Sequence, residues 1–255
     1  MSKWLISFPV EGYFYEKGEY RKSGNVIFHV HRDNDPRYGE RLIGSIILEQ
    51  SNDGEAMDKG HDLIDDALTE LTLTSGQSLR LGDNDCYITP RDEYETDVSF
   101  NSRTIHRLKA HFTGAYRIGE DDTDEILLKI KNLKQNKKII FKISIGYYRL
   151  GVESNNPYIA LSNYFSSVST IVRDLTGYEE VRQGNLKDHM RAIVGNDLDF
   201  DLKFKDYYNS GRSASTHGHI DAMNKNVLGT VRKSSFGMKH WTRRILVDYL
   251  NQNQD

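Results

Sequence analysis

Cysteine is almost absent. The one copy in 255 residues, Cys86, excludes an intramolecular disulfide and any cysteine-based zinc site. No uninterrupted apolar run approaches the roughly 18 residues needed to span a bilayer. The opening Met1-Ser2-Lys3-Trp4 lacks the apolar core and small-residue cleavage site of a secretory signal. A cytoplasmic protein without membrane association is therefore the expectation. Glycine-rich phosphate loops, internal repeats and low-complexity tracts are missing as well. The acidic stretch from Glu120 to Glu125 lacks the central glycine of a calcium loop and reads as a solvated helix start. What is present is polar, with 37% hydrophobic and 28% charged residues and a mean hydropathy of -0.64. Yet 11% of the residues are aromatic, too many for a chain that cannot build a core. The length admits one large domain or two modest ones.

Charge is unevenly spread. Residues 1 to 135 hold 17 Lys and Arg against 25 Asp and Glu, net -8, whereas residues 136 to 255 hold 17 against 12, net +5. This division fits a basic, anion-facing module joined to an acidic one, and equally two domains that attract each other.

The hydrophobic period also changes along the chain. Trp4 to Phe8, Val26 to His31 and Leu42 to Leu48 read as strands, and Asp53 to Thr74 as a helix in which Ala56, Lys59 and Gly60 are followed by Leu63, Ile64, Ala67, Leu68 and Leu71 on one face, ended by Gly76. Further strands are expected at Cys86 to Thr89, Asp97 to Phe100 and Ile105 to Phe112. From Glu120 the pattern turns helical. Asp122 or Thr123 is the expected N-cap of a helix with Ile126, Leu127, Ile130 and Leu133 on one face. Ile139 to Leu150 is read as a helix whose face is Ile140, Ile143, Tyr147 and Leu150. Asn155-Asn156-Pro157 then restarts the chain into a long helix, Tyr158 to Leu175, closed by Thr176-Gly177. Leu186 to Val194, Phe200 to Asn209 and Met238 to Leu250 complete the helices. The fold class expected is α+β, with a mixed, β-rich domain over residues 1–118 and an all-α bundle over residues 119–255.

The segment with most chemistry runs from Tyr207 to His219. Arg212 and His217 stand five positions apart, behind two tyrosines and just before Gly218. A neutral imidazole can take a proton from a ribose 2′-hydroxyl or give one to a leaving oxygen, and a guanidinium can brace the phosphate as charge builds. No metal centre or other cofactor is needed. On a straight helix five residues turn through about 500°, leaving the side chains roughly 140° apart. Either the helix breaks between them or a partner subunit completes the site. The spacing alone is weakly specific, since about two such Arg-His pairs are expected by chance in this composition. Arg182 with His189, seven positions apart, is a further pair of this kind. His217, His219 and Asp221 on a loop are weaker candidates for a divalent metal.

The run Tyr147-Tyr148-Arg149-Leu150, the long helix from Tyr158, the paired helices and Arg212-x4-His217-Gly218 together resemble the HEPN domains. The likeness is to methylamine-utilisation and abortive-infection-type members that carry such a domain after a mixed α/β region. It covers about residues 137–252. It implies a dimerising helical bundle and, in active members, a metal-independent endoribonuclease of toxin or antiviral systems, with an antitoxin or other protein partner. By this resemblance Arg212 and His217 are the catalytic pair, with Tyr208, Ser213 and His219 beside them on the substrate. Active members usually carry Asn, Asp or His after the arginine, and here the residue is Ser213. A catalytically degenerate module that binds RNA, a nucleotide or a protein is the rival reading.

Basic residues gather after the motif: Lys225, Arg232, Lys233, Lys239, Arg243 and Arg244, with His240 and Trp241 among them. They read as a track for the RNA backbone, Arg243 and Arg244 foremost, with Trp241 as a stacking face and Leu246 and Leu250 toward the core.

Overall fold

In the computed structural model the described residues are 2–12, 20–32, 40–82, 87–91, 120–195, 199–209 and 225–254. The expected strands at Asp97 to Phe100 and Ile105 to Phe112 lie outside them, as does Cys86. The architecture is α+β, with strands first and helices after, in two compact units, Met1–Lys131 and Asn132–Asp255.

Among the described residues of the first unit six strands form one antiparallel sheet: β1 (Ser2–Gly12), β2 (Tyr20–Ser23), β3 (Val26–Arg32), β4 (Glu40–Gln50), β5 (Leu79–Leu81) and β6 (Tyr87–Arg91). The order is β2-β3-β4-β1-β5, and β6 also pairs with β1. The long β1 carries β4 along one edge. On its other edge Val10 to Gly12 meet β5 and Lys3 to Ser7 meet β6. Alternate residues Ile6, Phe8 and Val10 turn to one face and are buried. Helix α1 (Asp53–Ser75) covers that face with Ala56, Ile64, Ala67, Leu68 and Leu71. Its ends are locally encoded. The Asn52 side chain accepts a hydrogen bond from the Glu55 amide at 2.9 Å, and Gly76 closes the helix at φ 67° with its amide on the Thr72 carbonyl. Gly60 lets the helix sit close on the sheet, since a Cβ there would stand 2.9 Å from Ile6 Cγ2.

Helix α2 (Glu120–Asn132) begins earlier than expected, so Asp122 and Thr123 lie inside its first turn and not at a cap. Carboxylates are favoured throughout a first turn, so the acidic run is compatible with an earlier start. Leu127, Ile130 and Leu133 are buried as the periodicity requires.

The second unit is all helical among the described residues: α3 (Gln135–Glu153), α4 (Pro157–Thr176), α5 (Gln183–Val194), α6 (Phe200–Tyr207) and α7 (Lys225–Gln252). Helix α4 packs against both α3 and α7. Asn156 caps it by accepting from the Tyr158 amide at 3.0 Å, Pro157 occupies its first turn and Gly177 closes it at φ 69°. The periodicity puts Leu161, Tyr164, Phe165, Val168, Ile171, Val172 and Leu175 on its inner face; the first six are buried and Leu175 is half-buried.

Helix α3 forms where expected, but its buried face is a different one. Ile143, Tyr147 and Leu150 are about half exposed, as is Ile139, whereas Phe141, Ser144, Ile145 and Tyr148 are inside. Both stripes are apolar at helical spacing, and the α4 contact selects between them. Ser144 donates to the Ser167 carbonyl at 2.8 Å, and Gly151 admits the Tyr164 ring where a Cβ would collide. Helix α7 starts thirteen residues before the predicted Met238. Among the described residues no helix is long and apolar enough to cross a membrane.

Candidate nucleic-acid interface

Helix α7 is two-faced. Val231, Ser234, Met238, Trp241, Thr242, Ile245, Leu246 and Tyr249 are buried. At 100° per residue Arg232, Lys233, Lys239, His240, Arg243 and Arg244 fall within about 140° of one another on the remaining surface. The helix holds six Lys and Arg but a single acid, Asp248. Near the middle of the basic face stands Phe236, 67% exposed, its ring edge-on to His240 at 4.7 Å.

Trp241 does not provide the stacking surface expected of it. It is 3% exposed, stacked on Phe200 at 5.0 Å and tilted against Tyr207 at 4.9 Å. An indole this large gains more from burial than a surface position can return. Phe236 is the aromatic that reaches solvent here. Its place could have been read from the four-residue steps Arg232, Phe236, His240 and Arg244.

The other predicted residues have distinct settings. Arg244 is exposed and donates from Nη2 to the Ile193 carbonyl of α5 at 3.3 Å. Arg243 is half-buried, one helical turn from Lys239 on the same helix. Tyr208 is also half-buried, edge-on to Phe165 at 5.7 Å and stacked on Phe204 at 5.8 Å, so its ring belongs to the aromatic packing of the bundle. Arg212, Ser213, His217, His219 and Asp221 lie outside the described residues. The alternative pair is split: Arg182 precedes α5 and His189 lies within it.

Electrostatics separate α7 from its neighbour α5. On α5, Lys187 and Arg191 share the Asp201 carboxylate of α6, Lys187 at 2.8 Å. Hydrogen bonding from Lys187, with help from Arg191, holds the Asp201 carboxyl below the ordinary range against the opposing effect of desolvation. These cations are neutralised within the fold. On α7 burial lowers the Lys239 ammonium and Arg243 lowers it further, while burial, Lys239 and Arg243 in that order lower His240. Among the described residues no carboxylate is recorded as offsetting either group. Burial raises the Tyr148 phenol well above its usual value, and Arg243 partly counters this.

No protein-family model, curated protein or solved structure matches this chain.

Proposed function

We propose that this chain is a metal-independent endoribonuclease of HEPN type, acting in a toxin or antiviral system. The observation that carries the reading is the basic face of α7, with one exposed phenylalanine among its cations. Six basic residues spaced along one helix suit the regular phosphates of a nucleic-acid backbone, and an exposed ring suits an unstacked base. In this reading His217 transfers the proton and Arg212 stabilises the phosphorane. The ribose 2′-oxygen attacks the adjacent phosphorus as the bond to the 5′-oxygen breaks, leaving a 2′,3′-cyclic phosphate and a 5′-hydroxyl. Such chemistry needs no metal.

A homodimer accompanies the reading, since one copy supplies one imidazole and one guanidinium. The exposed stripe Ile139, Ile143, Tyr147 and Leu150 supports a second copy as the partner for α3. Gly146 lies in that stripe, and a Cβ there would meet nothing within 4 Å. A mid-helix glycine costs about 1 kcal/mol relative to alanine, and close approach of a second backbone would account for it.

The test is RNA incubated with purified protein in EDTA, with end-group analysis of the products. Cyclic phosphate ends are expected from the wild type and none from His217→Ala. Cleavage by that variant at the wild-type rate would refute the assignment. Ser213 favours the rival, a module that binds RNA without cutting it; salt-sensitive binding with intact RNA would establish that outcome instead.

A further inference from the structure

We infer that Phe236 is the stacking platform for one unpaired nucleotide, with Arg232 and Lys233 on one side of the ring and Lys239 on the other holding the two phosphates that flank its base. The inference deepens the RNA reading and rests on it for the identity of the strand; the binding it describes does not depend on cleavage.

Exposure alone would mean little, because single apolar side chains are common on surfaces. The setting distinguishes this one. Phe236 is the most exposed large apolar side chain among the described residues, at 67%, and it stands in the middle of a row of cations. At about 1.5 Å and 100° per residue, Arg232 and Lys233 lie about one turn before it and Lys239 and His240 about one turn after it, each about 4.5–6 Å away along the helix and within about 60° of it around the axis. Arg232 and Lys233 are exposed, and Lys239 and His240 half-buried. The His240 ring meets Phe236 at 4.7 Å and 76°, close to perpendicular. Whichever ring presents its edge, this contact leaves at least one face of Phe236 uncovered.

An apolar protein surface laid on the ring would also desolvate the cations around it, at a cost that no anion offsets. A nucleotide within a single strand meets both demands together. Its base offers a flat π-face to the phenylalanine, and its two phosphodiesters reach the cations on either side. A base paired and stacked inside a duplex cannot make the first contact, so the ring favours unpaired segments.

The test measures, by fluorescence anisotropy, the binding of full-length wild type, Phe236→Ala, Phe236→Trp and Lys233→Gln to three probes. These are a single-stranded 2′-O-methyl oligoribonucleotide, which lacks the attacking hydroxyl and stays uncut, the same strand in a duplex, and an abasic strand of equal length. Phe236→Ala should bind the single strand about tenfold more weakly, in keeping with the loss of one stacked base. It should bind the duplex and the abasic strand as wild type does, since neither offers an unpaired base. Phe236→Trp should keep the wild-type affinity for the single strand, which separates stacking from a fault in folding. Lys233→Gln should weaken binding of all three probes and reduce its salt dependence. Unchanged single-strand affinity in Phe236→Ala would overturn the inference, as would an equal loss on the abasic strand, and either result would leave the RNA reading in place. Failure of wild type to bind any probe would remove the RNA reading and the inference with it. Altered sedimentation of Phe236→Ala with unchanged RNA affinity would assign the ring to a protein contact instead.

Discussion

Asp174 joins three helices of the bundle. From α4 its Oδ2 accepts from Lys137 Nζ of α3 at 2.7 Å and from Tyr249 Oη of α7 at 2.7 Å. Tyr249 is fully buried, in parallel stacking with Phe141 at 6.3 Å. Asp174→Ala removes the acceptor and leaves a buried phenol unsatisfied, a cost of about 1–3 kcal/mol. The Lys137 contact adds less, because both of its side chains keep some solvent contact and such pairs are worth about 1 kcal/mol or below. The sum expected is about 2–4 kcal/mol. Tyr249→Phe keeps the stacked ring and leaves Asp174 with Lys137, so it should cost about 1–2 kcal/mol. In the double variant the orphaned hydroxyl no longer exists, and the two losses should fall short of additive by about 1–2 kcal/mol. Urea unfolding of the four proteins closes the cycle. Additivity to within about 0.5 kcal/mol would show that the contact does not couple α4 to α7 and would refute the reasoning.

Two further outcomes follow from the same unit. Burial, Lys239 and Arg243 lower His240 from its ordinary 6.5, so the unfolded chain binds that proton more readily than the folded one. Its contribution to stability is complete above 6.5 and is lost as pH falls through the lowered folded value. Melting at pH 7.5 and 5.5 should show a smaller acid-induced loss in His240→Gln; an identical pH response in the variant would exclude His240 as its source. Ile143→Glu, on the exposed stripe of α3, should leave the melting temperature within about 2 °C of wild type, as a surface change does. It should weaken self-association in sedimentation by tenfold or more, and a wild type that is monomeric at every concentration would remove the dimer.

Where neighbouring residues along the chain hold the information, the sequence alone determined the structure. Asn52 and Gly76 bound α1, and Asn156, Pro157 and Gly177 bound α4, because cap hydrogen bonds and permitted backbone angles depend on residues a few positions apart. The buried stripe of α4 was legible for the same reason, since its opposite face offers no competing one. Helix α3 carries two apolar stripes, and local periodicity has no means of ranking them. Packing against α4 buried Phe141, Ile145 and Tyr148, and left Ile143 and Tyr147 outside. The short strands β2 and β5 were likewise missed, because four and three residues hold too little alternation and exist through pairing with β3 and β1. Basic residues on α7 could be counted from the sequence, but burial of Trp241 against Phe200 and exposure of Phe236 are properties of the assembled bundle.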